Sequence, residues 1–429
     1  MNIRSLTGFL ALADPIPHSA FQRLSDLVGA ARVEFAQAGL PIQTARVATQ
    51  PISEIAPHDL TRFARDLQAA CTAHGIDYAS LGAVAADPGS LSPGGSTPPG
   101  EARRSETASR APLDLIEEIP SALRATEDIF ASVQIATREN GINLRAVTAA
   151  ARVIHSLANS TPDGFGNFRF AALANCPPHS PFFPVAYHAG KLDPRSREPS
   201  FALATEGAPL ALAAFERAQN LDEARANLID AVESTGQTMA RVANDLAARF
   251  DFRFAGIDFS LAPFPDAAHS IGAALEKLTG AKFGEHGTLF AAAFVTDCLR
   301  RANFPRVGFS GLMLPVLEDA TLAARSAHYS VDSLLLYSTV CGTGLDTLPL
   351  PGETSADTLA AILLDLATLA VRLDKPLTAR LIPIPGLAAG DMTRFDFQYF
   401  ANAQVLAAGS SALKIFETNT QVNFNPPNP

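Results

Sequence analysis

Charge is scarce in this sequence of 429 residues, and tryptophan is absent. Only 18% of the residues are Asp, Glu, Lys or Arg, whereas 47% are hydrophobic. This composition excludes an intrinsically disordered chain, because there are enough apolar side chains to bury a large core. At about 150 residues per domain, the length alone would allow roughly three domains.

Basic clusters are missing as well. Lys and Arg number 33 against 43 Asp and Glu, so the net charge is −10 with histidines neutral. The densest basic pairs are Arg103-Arg104 and Arg300-Arg301. Proteins that bind nucleic acid need clusters of Lys and Arg to displace counterions from phosphates. We therefore expect no nucleic-acid partner.

Long hydrophobic runs and paired cysteines are also lacking. No apolar run approaches the roughly 18 residues that cross a bilayer, so we expect no membrane partner. Residues 1–13 imitate a secretion signal, but Thr7 and Gly8 interrupt the apolar part, and a β-strand explains the stretch equally well. The four cysteines lie far apart without a CxxC pair, which indicates neither a disulfide framework nor a zinc knuckle and favours a cytoplasmic location.

Two segments lack large apolar side chains. Residues 87–112 are rich in Pro, Gly, Ser and Thr, and this composition predicts a flexible surface insert. The end of the chain, 418–429, is predicted to be an irregular tail. Elsewhere no change in composition divides the sequence, which predicts one domain over 1–429.

The rest of the chain alternates short β-rich runs with longer Ala- and Leu-rich helical runs. The predicted strands are 3–10, 41–48, 77–85, 131–136, 167–173, 201–206, 256–261, 307–314, 334–341 and 378–384. Ten strands, each followed by a helical stretch, repeat about every 40 residues, the size of a βα unit. The alternation predicts an α/β fold with a mostly parallel sheet, either one large barrel or a doubly wound domain.

Polar side chains gather where five of these strands end. In parallel α/β folds, ligands bind at the carboxyl ends of strands. The candidate substrate-binding residues are Arg380, Arg46, Asn175, Thr288, Ser310 and Asp346, and the candidate catalytic residues are Cys341, Glu318, Asp258, His188 and His286. The candidate metal ligands are Asp258, Glu318, Asp319 and Asp391, whose carboxylates suit a divalent cation.

Several of these residues also have a purely structural explanation. Asp319 can cap the helix that follows it, and Asp258, inside an apolar strand, can belong to a structural salt bridge. Cys341 precedes a Gly-rich turn that would expose a thiolate nucleophile, but a buried apolar cysteine fits equally well. His286-Gly287-Thr288 opens a helix whose amides can bind an anion, or Thr288 simply caps that helix.

The sequence contains incomplete versions of two known motifs, one for binding dinucleotides and one for serine hydrolases. Residues 342–347 read GxGxxT rather than GxGxxG, and two prolines just after them forbid an immediate helix. Residues 308–311 are one residue short of the GxSxG nucleophile elbow. We therefore expect neither an NAD site nor a serine hydrolase.

In combination, these loops resemble one family, the domain-of-unknown-function 711 (DUF711, UPF0210) proteins. The matching stretches are QTAR at 43–46, PFFPVAYH at 181–188, GIDFSLAP at 256–263, HGT at 286–288, ED at 318–319, VCGTGLD at 340–346, PG at 351–352, RLIPIPG at 380–386 and GD at 390–391. The resemblance covers nearly the whole chain except the insert at 87–112. It implies a ten-stranded α/β barrel similar to that of pyruvate formate-lyase-like glycyl radical enzymes, built from two five-stranded parallel halves set antiparallel.

The radical chemistry of those enzymes is not expected here. Their radical glycine lies near the C-terminus in an Arg-Val-x-Gly-aromatic motif. The nearest string in this chain, 306–309, lacks one residue and lies more than a hundred residues too early. The fold can carry over without the chemistry.

Two functions remain open from the sequence. The first is an enzyme that acts on a small polar metabolite inside the barrel, a lyase or hydrolase assisted by a divalent metal ion or by the Cys341 thiol, with Arg380 clamping a substrate carboxylate or phosphate. The second is a ligand-binding or regulatory protein that keeps the barrel without catalysis. The partner is a small molecule in both cases, self-association is allowed by the apolar surplus, and Lys375 is interpreted as a solvated charge at a helix end.

Overall fold

A computed structural model describes residues 1–85, 112–190, 198–411 and 421–424. Strands alternate with amphipathic helices that bury their apolar faces. The strands are β1 (Asn2–Leu10), β2 (Ile42–Thr49), β3 (Tyr78–Ala85), β4 (Ile129–Thr137), β5 (Gly141–Asn143), β6 (Phe170–Ala174), β7 (Ser200–Glu206), β8 (Arg253–Asp258), β9 (Gly344–Pro351), β10 (Leu377–Ile384) and β11 (Gln421–Val422). The helices are α1 (His18–Gln37), α2 (Ile52–Ile55), α3 (Leu60–Ala73), α4 (Pro112–Arg124), α5 (Leu144–Ala158), α6 (Ala208–Glu216), α7 (Leu221–Phe250), α8 (Ile271–Thr279), α9 (Thr288–Arg301), α10 (Ala320–Ala324), α11 (Val331–Ser338) and α12 (Ala356–Leu373).

The strands of the described residues form one mixed sheet, which establishes the α/β class. Its order is β8-β7-β1-β2-β3-β4-β6-β10-β9, with the short β5 beside β4 and β11 beside β5. From β1 to β6 along this order, five neighbouring strands run parallel. On either side lies a pair, β7 with β8 and β10 with β9, parallel within the pair and antiparallel to the five.

The two faces of the sheet bury different groups. Along β2, Ala45 and Val47 belong to the large apolar core that includes Phe63 and Leu67 of α3. The alternate residues Thr44 and Arg46 point to the opposite face, since side chains along a strand alternate sides. The helices thus cover one face, and the other face is left for the loops and the cavity described below.

Two predicted strands are wrong. Residues 334–341 fall in helix α11 and the turn after it, and the strand lies just beyond, at β9. A short apolar run is ambiguous between strand and helix, and here Ser330 begins the helix with a capping box to Ser333.

Residues 307–314 form no strand either. Gly308 and Ser310 both have positive φ, which interrupts an extended conformation. Isolated parallel bridges nevertheless join Arg306 to Ile257 of β8 and Pro315 to Asp346 of β9. The segment 306–315 therefore touches both outer strands of the sheet, whereas a closed ten-stranded barrel stays a prediction.

The expectations about membrane helices, cysteines, location and the two irregular segments have separate outcomes. Within the described residues, no helix is long and apolar enough to cross a bilayer. All four cysteines are buried and free, while the cytoplasmic location and self-association stay predictions. The insert, up to residue 111, and the tail residues 418–420 and 425–429 lie outside the described residues.

Candidate functional site

A cavity lies on the face of the sheet that the helices do not cover. Its volume is about 920 Å³ with the space at its mouth included. Side chains from six strands point into it, and the buried loop between β6 and β7 closes part of it with Phe182 to Val185. The strands contribute these residues to its lining: Arg4, Gln43, Thr44, Arg46, Tyr78, Phe130, Asp346, Thr378 and Arg380.

Two arginines and three carboxylates form a connected ion-pair network at this cavity. Arg380 donates from Nε to Asp346 Oδ1 at 2.7 Å and from one terminal nitrogen to Glu318 Oε1 at 2.6 Å. Arg4 bonds the other Glu318 oxygen at 3.0 Å and Glu206 Oε2 at 3.2 Å. Gln43 donates to the same Glu206 oxygen at 2.6 Å. These bonds hold the buried charges in fixed positions.

Arg46 stands apart from this network. Within the described residues its guanidinium forms no ion pair; its Nε donates to Thr44 Oγ1 at 2.9 Å, and its charge lies over the rings of Phe183 and Tyr78, 5.2 and 5.7 Å from their centres. Burial, reinforced by the positive charge of Arg4, lowers the pKa of Arg46 to about 9. The group is still protonated at neutral pH, so the cavity contains a cation that forms no ion pair with any described residue.

Aromatic rings supply most of the remaining wall. Phe130 makes edge contacts with Phe183 and Phe168 at ring-centre distances of 5.3 and 5.8 Å. Phe397 packs against Phe168 at 5.4 Å and against Tyr399 at 5.3 Å, and both Phe397 and Tyr399 also line the cavity. The cavity therefore combines a small number of fixed charges with a broad apolar lining, as small-molecule sites do.

Four of the sequence candidates meet here: Glu318, Arg46, Arg380 and Asp346. Both oxygens of Glu318 accept from arginines, so its main role in this arrangement is to position Arg4 and Arg380. Asp346 uses one oxygen in the same way. The predicted clamp, Arg380, is itself held between two carboxylates, whereas Arg46 forms no ion pair with a carboxylate of the described residues.

Asp258 is fully buried and holds the segment that replaces a strand. Its carboxylate accepts from the backbone amides of Phe309 and Ser310 at 2.8 and 2.7 Å, and from the Ser260 hydroxyl at 2.6 Å. Burial raises its pKa to about 6, although these hydrogen bonds act in the opposite direction. Ser310 in turn donates to the carbonyl oxygens of Ile257 and Val307. Both residues shape the loop at 306–315.

Asp319 caps two helices at once, in line with its structural explanation. One oxygen accepts from the amides of Thr321 and Leu322 at the start of α10. The other accepts from Ile271 and Gly272 at the start of α8, at 2.6 and 3.2 Å. The side chain is completely buried, and burial raises its pKa.

Cys341 lies at a second cavity, together with Lys375, Thr296 and Arg306; Phe309 lines both cavities. Lys375 is buried rather than solvated, which corrects its interpretation. Its ammonium donates to the carbonyl oxygens of Ser338, Thr339 and Cys341 at 2.9, 3.0 and 2.6 Å, and so stabilises the C-terminal end of α11.

The other candidates lie away from the first cavity. His188 is buried and its Nδ1 accepts from the Gly190 amide at 3.0 Å. His286 is exposed before α9, and Thr288 Oγ1 accepts from the Gly284 amide instead of capping the helix. Asn175 bonds Asp374, and the exposed Asp391 bonds the Ala388 amide. Across the described part of the chain, no three His, Cys, Asp or Glu side chains form a group that could hold a metal ion.

Several residues of the site escaped the sequence prediction, among them Arg4, Glu206, Gln43 and Tyr78. They lie on predicted strands rather than in the loops after them. A signal was present, because Arg4 and Gln43 are long polar side chains within predicted strands that also contribute core residues such as Ile3 and Ala45. Only the fold shows that these positions face one another.

Comparison with known proteins gives a consistent result over most of the chain. The family model described as "Uncharacterised ACR (DUF711)" matches residues 1–402. A UPF0210 protein of Clostridium botulinum (strain Alaska E43) is 30% identical over 445 aligned positions, which cover 97% of this chain and 93% of that protein. A UPF0210 protein of Syntrophotalea carbinolica is 31% identical, covering 83% and 77%. One from Pyrobaculum aerophilum is 36% identical, covering 66% of this chain but only 63% of that protein's length.

Proposed function

The chain belongs to the uncharacterised DUF711 family, and we propose that it binds a small organic anion in the first cavity through Arg46. One observation carries this proposal: Arg46 is a cation inside an aromatic cavity, and no carboxylate of the described residues neutralises it. An unpaired charge away from water is costly. A ligand carboxylate can form two parallel hydrogen bonds with a guanidinium and remove that cost.

The aromatic lining indicates the rest of the ligand. Phe130, Phe168, Phe183 and Phe397 offer apolar surface and ring faces rather than hydrogen-bonding groups, and Tyr399 adds a further ring. A ligand that is only an inorganic anion would leave these walls uncovered. We therefore expect an organic carboxylate or phosphate with an apolar body.

The enzyme hypothesis can be narrowed at this cavity. Among the five candidate catalytic residues, Glu318 lines the cavity, and both its oxygens are occupied by arginines. Tyr78 is the candidate proton donor at this cavity, since its ring lies beneath Arg46. Burial raises its pKa, with the Arg46 charge acting against that rise, so the hydroxyl keeps its proton at neutral pH. A lyase or hydrolase would use this hydroxyl on the bound anion, without the Cys341 thiol. The alternative is a protein that binds the anion without turnover.

The barrel prediction belongs to the same proposal. The sheet has five parallel strands, flanked by two pairs of strands that run antiparallel to these five, and one segment is bridged to both outer strands. This arrangement supports two antiparallel halves around an interior. Side chains of six strands that share one cavity support it further. We propose that the sheet wraps around the ligand as in the pyruvate formate-lyase-like barrel.

Isothermal titration calorimetry with benzoate, phenylacetate and 3-phenylpropionate tests the binding proposal. We expect saturable binding of at least one of them, weakened about 10- to 100-fold in Arg46→Met, because a hydrogen bond to a charged group contributes about 1.5–3 kcal/mol. Arg241→Met is the matched control, since Arg241 is exposed on α7. Equal binding by Arg46→Met and the unmutated protein, or no binding of any of the three, would overturn the proposal.

A further inference from the structure

We infer that the anion bound at Arg46 also carries a protonated amine, so that the ligand is a zwitterion such as an amino acid with an apolar side chain. This inference rests on the proposed function and names the class of its ligand. It comes from two other residues that line the same cavity, Asp346 and Thr343.

The charges of the ion-pair network do not balance. Arg4 and Arg380 contact three carboxylates, those of Glu206, Glu318 and Asp346, so the network has one negative charge in excess. Arg46 supplies an equal positive charge but forms no ion pair with any of the three in the described residues. The cavity thus presents one open cation and one unbalanced anion, and a zwitterion complements both.

The unbalanced charge has a definite position. Both oxygens of Glu318 and both of Glu206 accept hydrogen bonds from Arg4, Arg380, Gln43 or Asn2. Asp346 accepts through Oδ1 alone, and its Oδ2 has no hydrogen bond to the described residues. Asp346 also lines the cavity. Its Oδ2 is therefore the carboxylate oxygen available to a ligand cation.

Thr343 provides a second and independent sign of a ligand. The residue is only 1% exposed and lines the cavity, yet its hydroxyl has no hydrogen-bond partner among the described residues. A buried hydroxyl without a partner is energetically unfavourable. An ammonium group has three donors, so it can bond both Thr343 Oγ1 and Asp346 Oδ2.

Three probes that differ in one charged group test the inference: L-phenylalanine, 3-phenylpropionate without the amine, and 2-phenylethylamine without the carboxylate. L-leucine and 4-methylpentanoate repeat the test with an aliphatic body. Calorimetry on the full chain should show the amino acid binding at least tenfold more tightly than the acid of its pair, because a charged hydrogen bond is gained. 2-Phenylethylamine should bind more weakly than L-phenylalanine.

Two substitutions locate the effect. In Asp346→Asn and in Thr343→Val, the ratio between the affinities for L-phenylalanine and 3-phenylpropionate should fall toward one. Thr343→Val keeps the shape of the side chain and leaves the arginine network untouched, so it reports on the amine even where Asp346→Asn unfolds the protein. Arg241→Met should keep the ratio of the unmutated protein.

The outcomes separate this inference from the proposal beneath it. Equal affinity for the amino acid and the acid in both pairs, with binding that still depends on Arg46, would overturn the zwitterion and leave the anion site standing. An unchanged affinity ratio in Thr343→Val and Asp346→Asn would also overturn it. Absence of binding by all five probes would overturn both.

Discussion

Three arginines reach the same cavity, and their partners give each a different role. Arg380 is about 6% exposed and lies between two buried carboxylates, and Arg4 joins one of these to Glu206. Arg46 has aromatic rings and a threonine hydroxyl as neighbours. At the scale of the residue, Arg380 and Arg4 hold the site together, whereas Arg46 is open to a ligand. Substitutions of Arg380 and of Arg46 are therefore expected to have opposite effects on stability.

Arg380→Met should destabilise the protein by about 3–5 kcal/mol. Among the described residues, the substitution removes the only ion pair of the buried Asp346 and leaves Glu318 paired with Arg4 alone. Urea denaturation measures this free energy of unfolding. Arg325→Met is the control, because it breaks a more exposed ion pair with Glu276 at 2.9 Å and should cost less than about 1 kcal/mol. Equal losses in the two variants would contradict the role given to Arg380.

Arg46→Met should leave the free energy of unfolding unchanged or raise it by about 1 kcal/mol. The substitution removes a desolvated charge that forms no ion pair with the described residues, and functional sites commonly trade stability in this way. The same urea experiment measures it. A loss comparable to that of Arg380→Met would mean that Arg46 has a structural partner and would argue against an open anion site.

Asp258 makes stability depend on pH in a direction opposite to that of paired surface carboxylates. Its pKa is about 6 in the folded protein and near 3.8 ordinarily, so between these values the unfolded chain loses the proton first. The contribution is fully present below about pH 4 and is lost as pH rises through 6, with a slope of up to about 1.4 kcal/mol per pH unit.

The difference in unfolding free energy between the unmutated protein and Asp258→Asn, followed from pH 4 to 7, isolates this effect. We expect the unfolding free energy of the unmutated protein, minus that of Asp258→Asn, to fall by an amount on the order of 2 kcal/mol as the pH rises. Asp391→Asn, at an exposed carboxylate, is the control and should show no such trend. A difference that stays constant or grows with pH would refute the pKa shift.

At the scale of the element, one side chain fixes the start of two helices. Asp319 accepts four backbone amides from α8 and α10 and also the Ser270 hydroxyl at 2.7 Å. Helices begin with backbone amides that have no partner inside the helix. The sequence showed the cap on α10, because that helix follows directly, but not the one on α8, which lies 48 residues earlier.

Asp319→Ala should cost about 3 kcal/mol of unfolding free energy, since each lost cap costs about 0.5–2 kcal/mol and the amides are buried. Asp266→Ala is the comparison, because Asp266 caps one short, partly exposed helical turn at 267–269 and should cost about 1 kcal/mol. Urea denaturation of both variants measures these two losses of unfolding free energy. Equal costs would mean that Asp319 does not serve two helices.

The elements themselves followed from the sequence more closely than the site did. Predicted strands 3–10, 41–48 and 77–85 lie within one or two residues of β1, β2 and β3, since their apolar patterns have few alternatives. Residues 334–341 were assigned wrongly because a short apolar run fits either a strand or a helix. Of the site, Glu318 and Asp346 were chosen because they follow predicted strands, whereas Arg46 and Arg380 lie inside predicted strands, in stretches that carry the family resemblance. The cavity is lined from within the strands, and pairing between distant strands is not visible in one sequence.

At the scale of the whole molecule, the mixed sheet divides the protein into two environments. Helices and a continuous apolar core occupy one face. The other face encloses the buried loop at 175–190, three smaller apolar clusters and the charged cavity. This division explains how a chain with so little charge can concentrate six charged side chains in and beside one cavity. Ligand recognition is thus a property of the complete sheet rather than of one loop.

A crystal structure of the protein with 3-(4-bromophenyl)propionate tests the anion site most directly, because the anomalous signal of bromine locates the ring independently of the carboxylate. The prediction is a ring against Phe130 and Phe183 and a carboxylate about 3 Å from the terminal nitrogens of Arg46. A probe bound elsewhere, or bound in the cavity with its carboxylate away from Arg46, would contradict the assignment of Arg46 as the anion-binding residue.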